Sequence, residues 1–172
     1  MNTDQIFQNV ELILSDVDGV LTDGCIVYNN EGIETKRFHS HDGQGIHMWQ
    51  RAGYRFGLLT ARNSHIVKVR ANELGIEVVR QGFIDKLPAA IEVIQELGFD
   101  AAQVCYIGDD FPDLPVMRHV GTGVAVASAV EEVRKEADYI TQKQGGEGAV
   151  REVIEKALKA KKRWDELISK YQ

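Results

Sequence analysis

The sequence predicts an α/β protein: a doubly wound parallel sheet with helices on both faces and a β-hairpin inserted after the first strand. Three observations carry this. Short apolar runs ending in Gly, Asp or Thr alternate with segments of helical period. The connections between them are short, as in repeated strand–helix–strand units. The residues with chemical potential cluster at the ends of the apolar runs, where such a sheet binds ligands.

In chain order, the expected strands are VELILSD, YRFGLLT, IEVVR, QVCYIGD, TGVAVA and the short ADYIT. Their composition is that of strands buried on both faces. Between them, helical period is expected over residues 43–52 and in SHIVKVRANELG, KLPAAIEVIQELG, DLPVMRHVG and AVEEVRKEA. Gly75 and Gly98 stand where two of these helices should stop. CIVYNNEGIETKRFH, with two β-prone runs flanking NNEG, predicts a hairpin over about residues 24–38. From Gly148 to Gln172 one long helix is expected, with Val150, Ile154, Ala157, Trp164, Ile168 and Tyr171 on a near-heptad seam broken at Lys161. At about 37 Å such a helix outreaches a small domain. Its far end is expected to leave the domain or dock on another subunit, while its first half could equally lie on its own sheet.

With 172 residues and no repeat, linker or low-complexity tract, a single domain over 1–172 is expected. A formal charge of -6 argues against a nucleic-acid role, which needs a basic face. Cys25 and Cys105 lie in apolar settings, so buried free thiols in a reducing compartment are expected. The start MNTDQIFQNV has no basic n-region or apolar run, and no stretch approaches membrane-spanning length, so a cytoplasmic protein is expected. Glu155, Asp165 and Glu166 interleave the basic tail KALKAKKRW, which argues for a solvated helix face rather than a membrane contact.

The chemistry begins at LILSDVDGVLTDG, where a buried strand runs into Asp16 and Asp18. Like charges held together repel, and desolvation worsens it, unless a cation sits between them. The second strand ends at Thr60, followed by Arg62; Lys86 opens the helix after the third; the fourth ends in GDDFPD with Asp109, Asp110 and Asp113. All fall at one edge of the expected sheet. Clustered carboxylates call for a hard divalent cation, and Mg2+ suits them, keeping water and substrate phosphate in its other positions. Lys86 and Thr60 would hold phosphoryl oxygens. One carboxylate can attack phosphorus, and the other, two residues on, can protonate the leaving oxygen and later activate water.

DVDGVLTDG, LLTAR, Lys86 and GDDFPD together resemble the four signature motifs of the haloacid dehalogenase superfamily of phosphohydrolases. The resemblance implies a Rossmann-like fold, with Asp16 as nucleophile and Asp18 as general acid/base. It implies Mg2+ held by the Asp16 carboxylate, the Asp18 backbone carbonyl and Asp109, supported by Asp113, with Thr60 and Lys86 on the phosphoryl group. FHSHDGQGI, LGI, VMRHVG, GVAVA, ADYIT and GGEGAVRE are similar to the superfamily's capless 3-deoxy-D-manno-octulosonate 8-phosphate phosphatases. That likeness implies a homotetramer assembled around the hairpins, a neighbour's C-terminal segment over the site, and a small-molecule sugar-acid phosphate as substrate.

A sugar acid also presents a carboxylate, for which Arg62 and Arg70 are candidates. The likeness adds the stretch His39, His41, Asp42, Gly43 and His47 as substrate-binding. His41 and His47 stand where relatives commonly carry arginine, so a nine-carbon sialic-acid-type phosphate is the alternative substrate. His39, His41 and His47 lack the further ligand that a tetrahedral zinc site needs. Two other classes compete: a receiver-like phospho-switch, which lacks a second Asp two residues after its nucleophile, and a non-catalytic accessory or assembly module.

Overall fold

The structure, a computed structural model, describes residues 3–171. After a short helix α1 (Thr3–Phe7) come β1 (Leu12–Ser15), β2 (Val27–Tyr28), β3 (Glu34–Thr35) and α2 (Ser40–Arg51). There follow β4 (Arg55–Thr60), α3 (His65–Glu73), β5 (Val78–Gln81), α4 (Lys86–Glu96), β6 (Val104–Gly108), α5 (Leu114–His119), β7 (Thr122–Ala125), α6 (Glu131–Glu136) and β8 (Tyr139–Ile140). The chain continues through α7 (Ala149–Ala160) and α8 (Trp164–Ile168). Six strands form one sheet in the order β5-β4-β1-β6-β7-β8, every pair parallel. All six expected sheet strands are therefore present. The chain winds outward from β1 to β5, then returns past it to β6, so the switch in direction falls between β1 and β6.

Register decides what meets at that switch. Ser15 lies across from Leu58 on one side and Ile107 on the other. Asp16, Thr60 and Asp109 thus emerge at a common edge one or two residues later. The strands that carry them are anchored by apolar burial, with Leu12, Ile13, Leu14, Leu58, Leu59 and Ile107 almost wholly enclosed. Gly75 and Gly98 follow α3 and α4 with positive φ, as helix-terminating glycines should.

Three expectations are corrected. Residue 43 is not where α2 begins: the His39 side chain accepts from His41 N at 3.2 Å, capping the helix and starting it at Ser40. The tail is not one helix. α7 ends near Lys161, Lys162 takes φ 57°, and α8 turns back, so the tail's described part covers its own domain. Lys162 closes the helix in a Schellman turn, its N–H donating to Lys159 O and that of Arg163 to Leu158 O, both at 2.9 Å, while the Lys161 ammonium pairs with Glu11 at 2.8 Å and lies over the Tyr54 ring at 4.6 Å. Beyond it, Leu167 is buried, and the Tyr171 hydroxyl accepts from Gln44 and Arg51 of α2. Cys25 is exposed, since it follows Gly24 where the chain leaves the sheet for the hairpin; Cys105 is buried, and both thiols are free.

The hairpin pairs Val27 with Thr35 and Tyr28 with Glu34, antiparallel, inside its expected span. Ile26, Val27, Tyr28 and Ile33 are each about half exposed on it. No helix among the described residues is long and apolar enough to cross a membrane.

Candidate active site

Beyond the tips of β1 and β6, carboxylate oxygens of Asp16, Asp109 and Asp113 come within 4.8 Å of one another. Lys86 stands among them, with Nζ 2.9 Å from Asp16 Oδ2 and 2.7 Å from Asp113 Oδ1. A lysine in the first turn of α4 sits at the positive end of the helix dipole and is almost fully buried, both unfavourable for a cation. Burial works against its charge, but Asp16 and Asp113 outweigh it and raise its pKa. Lysine has three donors, so one remains for a ligand oxygen.

Asp113 is a scaffold for the others. Its Oδ1 accepts from Lys86 and from the buried Tyr106 hydroxyl at 2.6 Å, and its Oδ2 from the backbone N–H groups of Asp109 and Asp110. With both oxygens engaged, it orients the Asp109 loop rather than offering a free ligand atom. Asp16 Oδ1 accepts from Val17 N at 2.7 Å. Burial first, then Asp113, raises the Asp16 carboxyl to about 6 against the pull of Lys86. Burial, with Asp16 and Asp113 next, raises Asp109 to about 8. Its Oδ1 is enclosed and has no hydrogen-bond partner. An orphaned carboxylate oxygen facing a second carboxylate is the setting that a hard cation relieves, and the all-oxygen donor set fits Mg2+. Asp109 also needs its neighbour to be glycine: a Cβ at Gly19, where φ is +90°, would lie 2.0 Å from Asp109 Oδ2.

Asp18 contributes nothing to this cluster through its side chain. The carboxylate turns to Lys36, and its other oxygen lies 3.8 Å from Arg62 Nε. Thr60 is buried at the end of β4, on the same edge. The GGEG segment seals the loop after β1: Gly146 N donates to Val20 O, and a Cβ at Gly145 would strike Gly19 O at 1.7 Å.

The remaining candidates divide. Arg62 reaches the site's rim, donating to Tyr28 and pairing with Glu34. His39 and His41 stack edge to face, 4.8 Å apart, at the start of α2 and line a cavity of about 500 Å3 with Lys143 and Arg151. Asp42 is buried; its Oδ1 accepts from Arg151 N at 2.7 Å, which joins α2 to α7, and its Oδ2 has no hydrogen-bond partner. Gly43 makes room for Arg70, which pairs with Glu73 and stands over the Phe38 ring. His47 is two turns further down α2, about 10 Å from the helix start. Among the described residues neither Arg70 nor His47 makes a hydrogen bond or ion pair with Asp16, Asp109 or Asp113. Tyr106, Lys36, Glu34 and Ser64 belong to the site's surroundings and were missed; Tyr106 reads as an ordinary strand residue, and the others as hairpin or loop polarity.

Comparison with known proteins agrees with this geometry. A family model described as haloacid dehalogenase-like hydrolase matches residues 68–154. A 3-deoxy-D-manno-octulosonate 8-phosphate phosphatase of Yersinia pestis is 43% identical over 152 residues, covering 88% of this chain and 81% of that protein. The crystal structure of the Moraxella catarrhalis phosphatase of that name, in complex with magnesium ion, phosphate ion and KDO, superposes with a TM-score of 0.97 at 44% identity, covering 99% of this chain and 98% of the other. A cobalt-bound Haemophilus influenzae phosphatase gives a TM-score of 0.90 at 38% identity, covering 93% and 94%. The chain belongs to the haloacid dehalogenase-like hydrolases.

Proposed function

We propose that the protein is a Mg2+-dependent phosphomonoesterase that hydrolyses 3-deoxy-D-manno-octulosonate 8-phosphate, acting as a cytoplasmic homotetramer of one-domain subunits. The observation that carries the reading is the buried Lys86 between Asp16 and Asp113, with the orphaned Asp109 oxygen beside them. Such a site has a place for a cation and a donor for a phosphate oxygen.

Mg2+, held by the Asp16 and Asp109 carboxylates and the Asp18 carbonyl, would neutralise charge on the carboxylates and the phosphoryl oxygens. Lys86 and Thr60 orient the phosphoryl group against Asp16. The Asp16 carboxylate attacks phosphorus as the ester P–O bond breaks, and Asp18 gives its proton to the departing sugar oxygen. Asp18 then takes a proton from water as the water attacks the aspartyl-phosphate, freeing phosphate and Asp16. Arg62, with His39 and His41 further along the rim, would meet the sugar acid. The half-exposed apolar residues of the hairpin support self-association, because so short a hairpin gains little stability alone.

A phosphate-release screen with Mg2+ tests the substrate. Eight- and nine-carbon keto-acid phosphates, with simpler sugar phosphates, are ranked by kcat/KM; the eight-carbon compound should lead. A nine-carbon compound ahead of it would reassign the substrate, and no release from any would remove the enzyme reading.

A further inference from the structure

Lys36, directly after β3, is the one cation in contact with the Asp18 carboxylate at hydrogen-bond range among the described residues. Its side chain is 1% exposed, and its ammonium pairs with Asp18 Oδ1 and, at 3.2 Å, with Glu34 Oε1. Enclosing an ammonium so completely is costly, and an apolar side chain would anchor the hairpin without that cost. Glu34 is itself held from the opposite side: Arg62 Nη2 lies 3.0 Å from Oε1, and the Ser64 hydroxyl donates to Oε2. A chain of contacts therefore runs from the segment after β4, through the hairpin, to Asp18. It ends on one oxygen only. Asp18 Oδ2 has no hydrogen-bond partner, and neither has the Arg62 Nε facing it.

We infer that Lys36 is a positioning residue, which fixes Asp18 by Oδ1 so that Oδ2 is the oxygen that carries the proton. This rests on the reading of Asp18 as general acid/base. In the first half-reaction the proton passes from Asp18 Oδ2 to the alcohol oxygen as the ester bond breaks and the Asp16–P bond forms. In the second, Oδ2 accepts a proton from water as the Asp16–P bond breaks.

The test compares leaving groups. An alkyl phosphate needs a proton on its departing oxygen, whereas p-nitrophenyl phosphate needs little help, and kcat/KM reports only the first half-reaction. For Lys36→Met, kcat/KM should fall on the order of 100-fold with the alkyl ester, within the usual range for a general acid, and at least about tenfold less with the aryl ester. Lys36→Arg, which keeps the charge, should preserve the wild-type ratio between the two esters. Asp18→Asn is the reference. If it shows the leaving-group bias and Lys36→Met loses both esters equally or neither, the inference fails while the role of Asp18 stands. If Asp18→Asn shows no bias, the general-acid reading fails with it. A Lys36→Met chain that does not fold leaves Lys36→Arg to decide, since a shifted ratio there would also overturn the inference.

Discussion

Asp109 has its carboxyl raised to about 8 by burial, then by Asp16 and Asp113, and this has a thermodynamic sign. Without metal, the folded chain keeps a proton there that the unfolded chain, near the ordinary value of 3.8, gives up. The folded state then binds more protons, so this group's contribution to stability falls as pH rises from 3.8 and is spent above about 8. A cation replaces the proton. Mg2+ should therefore raise Tm more at about pH 9 than at about pH 5, and its binding near neutrality should release protons, read by calorimetry in buffers of different ionisation enthalpy. Equal Tm shifts at both pH values would remove Asp109 from the metal set. Asp16→Asn should abolish phosphate release while the far-ultraviolet circular dichroism stays unchanged; retained turnover would take the nucleophile's role from it. Tyr106→Phe removes a buried hydroxyl from Asp113, which keeps Lys86 and two backbone donors. It should cost about 1–2 kcal/mol in urea denaturation.

Among the elements, the strands and their polar tips were legible because a parallel sheet buries both faces and leaves one edge for chemistry. Asp16, Thr60 and Asp109 could be placed together from order alone, since registers of adjacent parallel strands carry them there. The tail was harder to read. Its seam breaks at Lys161, but the turn is made by Lys162 in the left-handed conformation, a position that glycine usually marks and a lysine does not, and it sends Leu167 back to the domain. Lys36 was hidden for a similar reason: in a hairpin of alternating polar residues nothing local marks a lysine whose partner is Asp18. Arg70 shows the same limit from a helix: its residue type suggested a substrate carboxylate, but its neighbours Phe38 and Gly43 come from another part of the chain. The α7 helix buries Val150, Val153, Ile154, Ala157 and Leu158. Ile154→Ala should cost about 2–4 kcal/mol by chemical denaturation. A loss below about 1 kcal/mol would mean that the helix is not part of the folded core.

For the whole molecule, the hairpin would connect the proposed assembly to the chemistry. Its apolar residues face outward, while Glu34 and Lys36 face Arg62 and Asp18. By light scattering the wild type should be the proposed tetramer, and a charge at the exposed Val27, as in Val27→Asp, should reduce it to smaller species; a wild-type monomer would contradict the assembly proposal. The central claim concerns Asp16 and the cation beside it, and covalent trapping addresses it most directly. Asp18→Asn, which should slow hydrolysis of the intermediate, is mixed with p-nitrophenyl phosphate, quenched in acid and digested for mass spectrometry. The account predicts phosphate on the peptide containing Asp16 when Mg2+ is present and none when it is chelated. Phosphate on another peptide, or the same yield without the metal, would contradict it.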